Sequence, residues 1–202
     1  VACGHQFRTH CDTEVIVHGW EEWGEQCVDR FRGMFAFGVW DRNRDTLFIA
    51  RDRLGIKPLY YALLANGLFI FSSELKAIHT HPEFVKEFDH FAIEEYFAYG
   101  YIPEPRTIYK YAQKLSPGYS IKLSSHSKQI QPHQYWDVPF APHSDMSEQA
   151  VEQELINRFR EAVDIHLMSE VPLGAFLSGG VDSSAVVAMM SGLMKDPVNT
   201  CS

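Results

Sequence analysis

Positive charge is in short supply in this chain: 18 Lys and Arg stand against 26 Asp and Glu, a formal net charge of −8. That balance argues against nucleic acid or an anionic membrane surface as a main partner. Long apolar runs are also missing, and none approaches the ~18 residues of a membrane span. The opening, Val1-Ala2-Cys3-Gly4-His5, has neither the basic region nor the apolar stretch of a secretion leader. Cysteine is sparse. Cys3, Cys11, Cys27 and Cys201 show no Cys-x-x-Cys spacing and read as reduced thiols of a cytosolic protein. There is no internal repeat and no low-complexity tract. With 46% hydrophobic and 22% charged residues the 202-residue chain is globular, long enough for one large or two small cores.

What is present centres on Ala175-Phe176-Leu177-Ser178-Gly179-Gly180-Val181-Asp182-Ser183-Ser184. Ala175 to Leu177 is an apolar run suited to a buried parallel strand. Gly179 and Gly180 allow a sharp turn and close approach of a ligand. Ser183 and Ser184 suit the start of a helix predicted over Ala185 to Met194. Backbone N–H groups and hydroxyls then converge beside a positive helix end, which binds phosphate. No Gly-Lys-Ser/Thr follows, so this is not a Walker loop. Asp182 makes no sense as a direct phosphate contact; it makes sense with a Mg²⁺ ion between carboxylate and phosphate. The string resembles the PP-loop of ATP pyrophosphatases, which split ATP between its α and β phosphates.

Upstream, Val15, Ile16, Trp20 and Trp23 repeat at helical spacing and predict a helix over Asp12 to Trp23, with Asp12 or Thr13 as cap and Gly24 as stop. A second helix is expected over Glu25 to Phe31. Met34 to Trp40 and Thr46 to Ala50 read as a hairpin, as do Leu59 to Leu63 and Leu68 to Ser72 around Asn66-Gly67. Glu74 to Thr80 and Phe91 to Tyr99 read as short helices. Tyr119 to Leu123 and Gln129 to Trp136 form a last strand pair around the turn Ser124 to Lys128. Pro139, Pro142 and Ser144 mark a linker. Ser147 opens a helix with apolar residues at Val151, Leu155, Phe159, Val163 and Leu167. Val198 to Ser202 read as the next strand. The first half is antiparallel hairpins with few helices, the second helix, strand, loop, helix: α+β followed by α/β. Val1 in place of Met, and a parallel sheet with a single strand–helix unit, lead to the expectation that this is an internal piece of a longer protein.

The second loaded stretch is Arg51-Asp52-Arg53-Leu54-Gly55-Ile56-Lys57-Pro58-Leu59-Tyr60-Tyr61. As a pattern it equally fits a solvated turn between strands. Together with Gly33-Met34-Phe35-Ala36-Phe37 and Ser73-Glu74-Leu75-Lys76-Ala77 it resembles the class II glutamine amidotransferase domain, and more narrowly the asparagine synthetase B family. Cys11-Asp12-Thr13-Glu14 resembles that family's Ser-Asp-Thr-Glu segment, with Cys11 in place of Ser. Lys114-Leu115-Ser116-Pro117-Gly118 resembles its turn before the last hairpin, and Val171-Pro172 leading to Ser178–Ser184 its synthetase opening. The wording is close to amidotransferases found beside exosortase and exopolysaccharide genes.

The resemblance implies the C-terminal part of an N-terminal-nucleophile hydrolase αββα domain over 1–137, a linker over 138–146, and the start of an α/β PP-loop ATP-pyrophosphatase domain over 147–202. It implies a cytoplasmic enzyme that takes ammonia from glutamine and passes it to an aspartate adenylated by Mg-ATP. Glutamine, aspartate and ATP are then the partners, with no nucleic acid and no membrane; a homodimer of the full-length protein is left open. By match to the family, Asp12 holds the glutamine α-amino group. Leu177, Ser178, Gly179, Gly180, Asp182, Ser183 and Ser184 bind ATP, Asp182 through Mg²⁺. Arg51, Asp52 and Glu74 are assigned to structure or a domain interface. The family's nucleophile is a cysteine at the first residue, whose own amine is the base. Cys3 is internal and does not qualify, so the piece alone is expected to be inactive. His79-x-His81 lacks a third metal ligand nearby. Three other readings stay open: another acceptor in exopolysaccharide or secondary metabolism, a relative of GMP or NAD synthetase, and a non-catalytic interaction module. Arg51–Tyr61 argues against the second, and intact Asp12 and Asp182 against the third.

Overall fold

The computed structural model describes residues 3–124, 130–140, 145–169 and 171–202. The chain divides into two units, Val1–Pro139 and Phe140–Ser202. In the first, α1 (Asp12–Trp23) forms where the apolar spacing predicts it, and Gly24, at φ 56°, ends it with its N–H on the Trp20 carbonyl. Instead of one helix over Glu25 to Phe31 there is a 3₁₀ turn (Gly24–Gln26) and one α-helical turn, α2 (Cys27–Arg30). The Arg53 guanidinium donates to the carbonyls of Phe31 and Asp29, which ends the helix early. β1 (Ala36–Asp41) and β2 (Thr46–Arg51) pair antiparallel with Phe37 opposite Ala50. Asp41 closes their turn by accepting from the Asn43 and Arg44 amides, and the Trp20 indole N–H ties α1 to the same carboxylate at 2.9 Å. That indole bond is the main cause holding the Asp41 carboxyl below its usual range.

β3 (Tyr60–Leu63) and β4 (Phe69–Ser72) form the second hairpin. The helices α3 (Leu75–His79) and α4 (His90–Tyr99) follow, the latter capped by the Asp89 side chain on the Phe91 and Ala92 amides. β5 (Gln113–Lys114) joins β3 on the edge away from β4. β6 (Tyr119–Ser124) pairs with β2, Ile121 opposite Ile49, and β7 (His133–Gln134) completes a four-stranded sheet in the order β1-β2-β6-β7. β7 is shorter than the expected Gln129 to Trp136. Pro132, directly before it, has no N–H to give to a ladder. Most of the turn expected at Ser124 to Lys128 lies outside the described residues, as do Pro142 and Ser144 of the expected linker.

The alternation along β2 sets the layers. Phe48 and Ala50 point to the helices and pack with Trp20, Cys27 and Val28. Ile49 points the other way and packs, with Ile121, on Leu59, Tyr61 and Leu115 of the three-stranded side. The far side of β3 packs Ala62, with Leu64, on Ile78 of α3, Phe84 and Ala112. The order is therefore helix, sheet, sheet, helix, an α+β architecture. β2 is covered on both faces, and each of Phe48, Ile49 and Ile121, fully buried, contributes about 1.5–3 kcal/mol of transfer free energy.

In the second unit, α5 (Glu148–His166) is capped by the Ser147 hydroxyl on the Ala150 amide. β8 (Gly174–Phe176) leads through a loop to α6 (Val181–Leu193), and β9 (Asn199–Cys201) returns parallel to β8, Ala175 opposite Thr200. This is a strand–helix–strand α/β unit. Among the described residues, Val163 of α5 and Met190 of α6 are its buried apolar side chains; Val151 and Leu155 are exposed, and so is Phe176, so β8 is not the buried strand that its apolar run predicts, because only β9 pairs with it. Among the described residues, no helix is long and apolar enough to cross a membrane.

Candidate functional site

In the first unit the candidate site is a cleft of about 570 Å³ lined by the first two turns of α1, the strand β1 with the residues just before it, the segment after β2 and the residue that follows β4. Asp12, Lys57 and Ser73 are among its polar groups, set against Ile16, Met34 and Phe37. Asp12 is the first residue of α1, not its cap: the cap position is Cys11 and makes no side-chain bond to the helix. Among the described residues the exposed Asp12 carboxylate accepts only from the Cys11 thiol and the Thr13 hydroxyl, each at 3.5 Å. It is thus a carboxylate at the positive end of a helix, able to receive a cationic ligand group.

The anchoring role falls to Glu14. Its two oxygens accept from the Arg8 and Thr9 amides, both at 2.7 Å, and from the Thr9 hydroxyl. The Thr9 hydroxyl and then the Arg8 amide hold the Glu14 carboxyl down at about 2. With the folded value below the unfolded one, this stabilisation is fully present above about pH 4.5 and is lost as pH falls through about 2. Glu14→Gln is expected to melt below the parent at pH 7, with the gap between their Tm values narrowing as pH is lowered toward 2. A gap constant between pH 7 and pH 2 would contradict this role.

Arg51 and Asp52 are internal struts. Asp52 is 1% exposed and its carboxylate accepts from four amides, those of Phe35, Leu54, Ile56 and Lys57, at 2.9–3.2 Å. The Arg51 guanidinium donates to the carbonyls of Gly55, Lys57 and Leu115 and pairs with Glu104 at 3.2 Å. Every one of these contacts is to the chain itself, so both residues shape the loop that brings Lys57 to the cleft. Glu74 precedes α3 and pairs with Lys76 at 2.6 Å. His79 is spent on the Tyr109 hydroxyl at 2.7 Å. Lys57 and Ser73 are cleft residues that the motifs contain but do not single out. Their place beside Asp12 arises from the two hairpins folding together, which no local spacing signals.

In the second unit the loop Ser178–Gly180 joins β8 to α6. Gly179 takes φ 80°, a conformation glycine adopts without strain, and Gly180 is the extended cap residue. α6 consequently begins at Val181, four residues earlier than the sequence predicts, and its first internal bond is Ser184 N–H to Gly180 carbonyl. Asp182 and Ser183 lie in the first turn, where amides have no helical acceptor. No side chain caps this end. The Ser178 and Ser183 hydroxyls lie 3.2 Å apart across the turn, and Ser183 also bonds the Gly180 carbonyl. The Leu177 amide is taken by the Cys201 carbonyl, which fixes the strand below the loop. Free amides and two hydroxyls beside a carboxylate suit a phosphate held with a divalent cation.

Residues 1–136 match the family described as "Glutamine amidotransferase domain", and residues 154–202 the family described as "Asparagine synthase". The chain is 41% identical over 192 residues to asparagine synthetase (glutamine-hydrolyzing) 3 of Bacillus subtilis (strain 168), covering 95% of this chain and 31% of that protein. It is 42% identical over 185 residues to putative asparagine synthetase (glutamine-hydrolyzing) 2 of Methanocaldococcus jannaschii, covering 90% and 35%. It is 32% identical over 201 residues to Amidase chyE of Penicillium rubens, covering 96% and 29%. The chain spans about a third of the length of these relatives.

Proposed function

Because the chain belongs to the glutamine amidotransferase domain family, we propose that it is part of a glutamine-dependent asparagine synthetase. Ammonia released from glutamine displaces AMP from an aspartyl adenylate, giving asparagine; formation of the adenylate from ATP releases pyrophosphate. The observation that carries this reading is the pairing, in one chain, of an amidotransferase αββα architecture with an uncapped, Gly-Gly-turned anion loop. The domains are read as 1–137 and 147–202, joined by 138–146. Asp12 receives the glutamine ammonium. Leu177, Ser178, Gly179, Gly180, Ser183 and Ser184 cradle ATP, and Asp182 holds Mg²⁺, which neutralises charge on the phosphates. The enzyme is read as cytoplasmic and acts on small molecules.

Asp182→Asn tests the ATP half. In the full-length protein it is expected to keep the fold, since the carboxylate is exposed and bonds nothing among the described residues, and to lower aspartate-dependent pyrophosphate release by about a hundredfold or more. Unchanged pyrophosphate release would refute the role of Asp182. A second reading keeps the chemistry and changes the acceptor to another carboxylic acid. The relative named as an amidase, similar across nearly the whole chain, favours keeping it. Pyrophosphate release stimulated by aspartate alone among carboxylic acids would exclude it.

A further inference from the structure

We propose that His5, His18 and Glu21 form a binding site for a divalent transition-metal ion of the zinc class. One ligand atom from each of the three residues lies within 4.8 Å of the others. His18 Nδ1 is 2.8 Å and His5 Nδ1 3.5 Å from the same Glu21 oxygen, Oε2. A tetrahedral zinc ion with ligand bonds of about 2.0–2.1 Å spaces its ligands about 3.3 Å apart. Both of these edges are therefore within about half an ångström of the spacing the ion needs, and the third, between the two imidazoles, is at most 4.8 Å.

The surroundings are those of a built site. The second nitrogen of each imidazole faces its own carboxylate: His5 Nε2 lies 3.3 Å from Glu22, and His18 Nε2 lies 3.5 Å from Glu14. His18 Nδ1 and Glu21 Oε2 stand at hydrogen-bond distance, 2.8 Å; a metal ion would take the place of the proton in that bond, engage the Nδ1 lone pair of each ring and leave each ring proton on Nε2, facing Glu22 or Glu14. Carboxylates behind ligating histidines fix the tautomer and strengthen the ligand in this way. His18 Nε2 is buried and without a hydrogen-bond partner at this geometry, the one such side-chain atom among the described residues. Metal at Nδ1 commits the proton to Nε2 and gives Glu14 a reason to close on it. The imidazoles of His5 and His18 lie 4.7 Å apart, tilted by 35°, and Phe7 stands edge-on to His18 at 4.8 Å, so ring contacts hold both imidazoles in place.

Two imidazoles and one carboxylate suit zinc, nickel or copper and do not suit Mg²⁺, which prefers oxygen ligands in an octahedron. The fourth position faces solvent on the side of Glu21, whose side chain is 54% exposed. His18 and Glu21 sit three apart on α1 and share a face. His5 comes from the segment that Glu14 also grips through Arg8 and Thr9. The ion would clip that segment to α1 just ahead of Asp12, independently of the ammonia and ATP chemistry. His18-x-x-Glu21 is visible in the sequence, but its third ligand arrives only with the fold.

The test uses the full-length protein, stripped with chelator and titrated with Zn²⁺ and, for its visible absorption, Co²⁺. The parent is expected to bind one equivalent with a tetrahedral Co²⁺ spectrum, unaffected by millimolar Mg²⁺, and to gain thermal stability. His5→Ala and Glu21→Gln, both partly or largely exposed, are expected to weaken binding about tenfold or more. His18→Ala should abolish it. Absence of binding at micromolar Zn²⁺, or equal affinity in parent, His5→Ala and Glu21→Gln, would overturn the site. In the latter case the ion lies elsewhere.

Discussion

Replacing Asp12 by alanine in the full-length protein is expected to lower kcat/KM for glutamine by about 10- to 100-fold while leaving synthesis from added ammonia nearly unchanged. A hydrogen bond to a charged partner contributes about 1.5–3 kcal/mol, and Asp12 has its charge to offer because no cationic group among the described residues pairs with it. Its contacts within the chain are two long ones to its sequence neighbours, and it does not cap α1. Loss of a first-turn acid costs the helix little. The split between nitrogen sources is the informative readout. Asp12→Asn retains an acceptor oxygen and loses the charge, so it should fall between parent and alanine. Equal losses with glutamine and ammonia, accompanied by a lower Tm, would make Asp12 a structural residue.

Asp52→Ala should show the reverse pattern, a large loss of stability through a residue that touches no ligand. Four amides lose their acceptor at once in a site that is 1% exposed. An unsatisfied buried donor costs about 1–3 kcal/mol, so the sum reaches about 4 kcal/mol or more even when the loop relaxes. For a unit of this size that is on the order of 10 °C in Tm. Asp52→Asn should be milder. Oδ1 serves Leu54 and Ile56, and Oδ2 serves Phe35 and Lys57, so an amide nitrogen at either place faces two donors and loses two bonds. The loop also carries Lys57 to the cleft, so residual protein should bind glutamine poorly. A Tm within a few degrees of the parent for Asp52→Ala would show that water replaces the carboxylate.

Local signals were sufficient where a structure closes on itself. The short apolar run of β2, the Asn66-Gly67 turn and the 3.6-residue spacing of α1 each concern residues a few positions apart, and all three elements form where they are predicted. The Ser178–Ser184 string likewise carries its own turn geometry, because Gly179 and Gly180 supply the backbone freedom within the motif. Charges were illegible for the opposite reason. Arg51 and Asp52 have the composition of a solvated turn, and nothing nearby says otherwise. Arg51 is buried because its guanidinium meets the Leu115 carbonyl, 64 positions away, and the Glu104 carboxylate. The place of Lys57 and Ser73 beside Asp12, and of His5 beside His18 and Glu21, rests on the same kind of distant convergence. Local pattern determined where α1 and the hairpins form. Which polar groups meet was left to the packing of the sheets and helices, because a hydrogen bond or a ligand set depends on distances that no spacing along the chain contains.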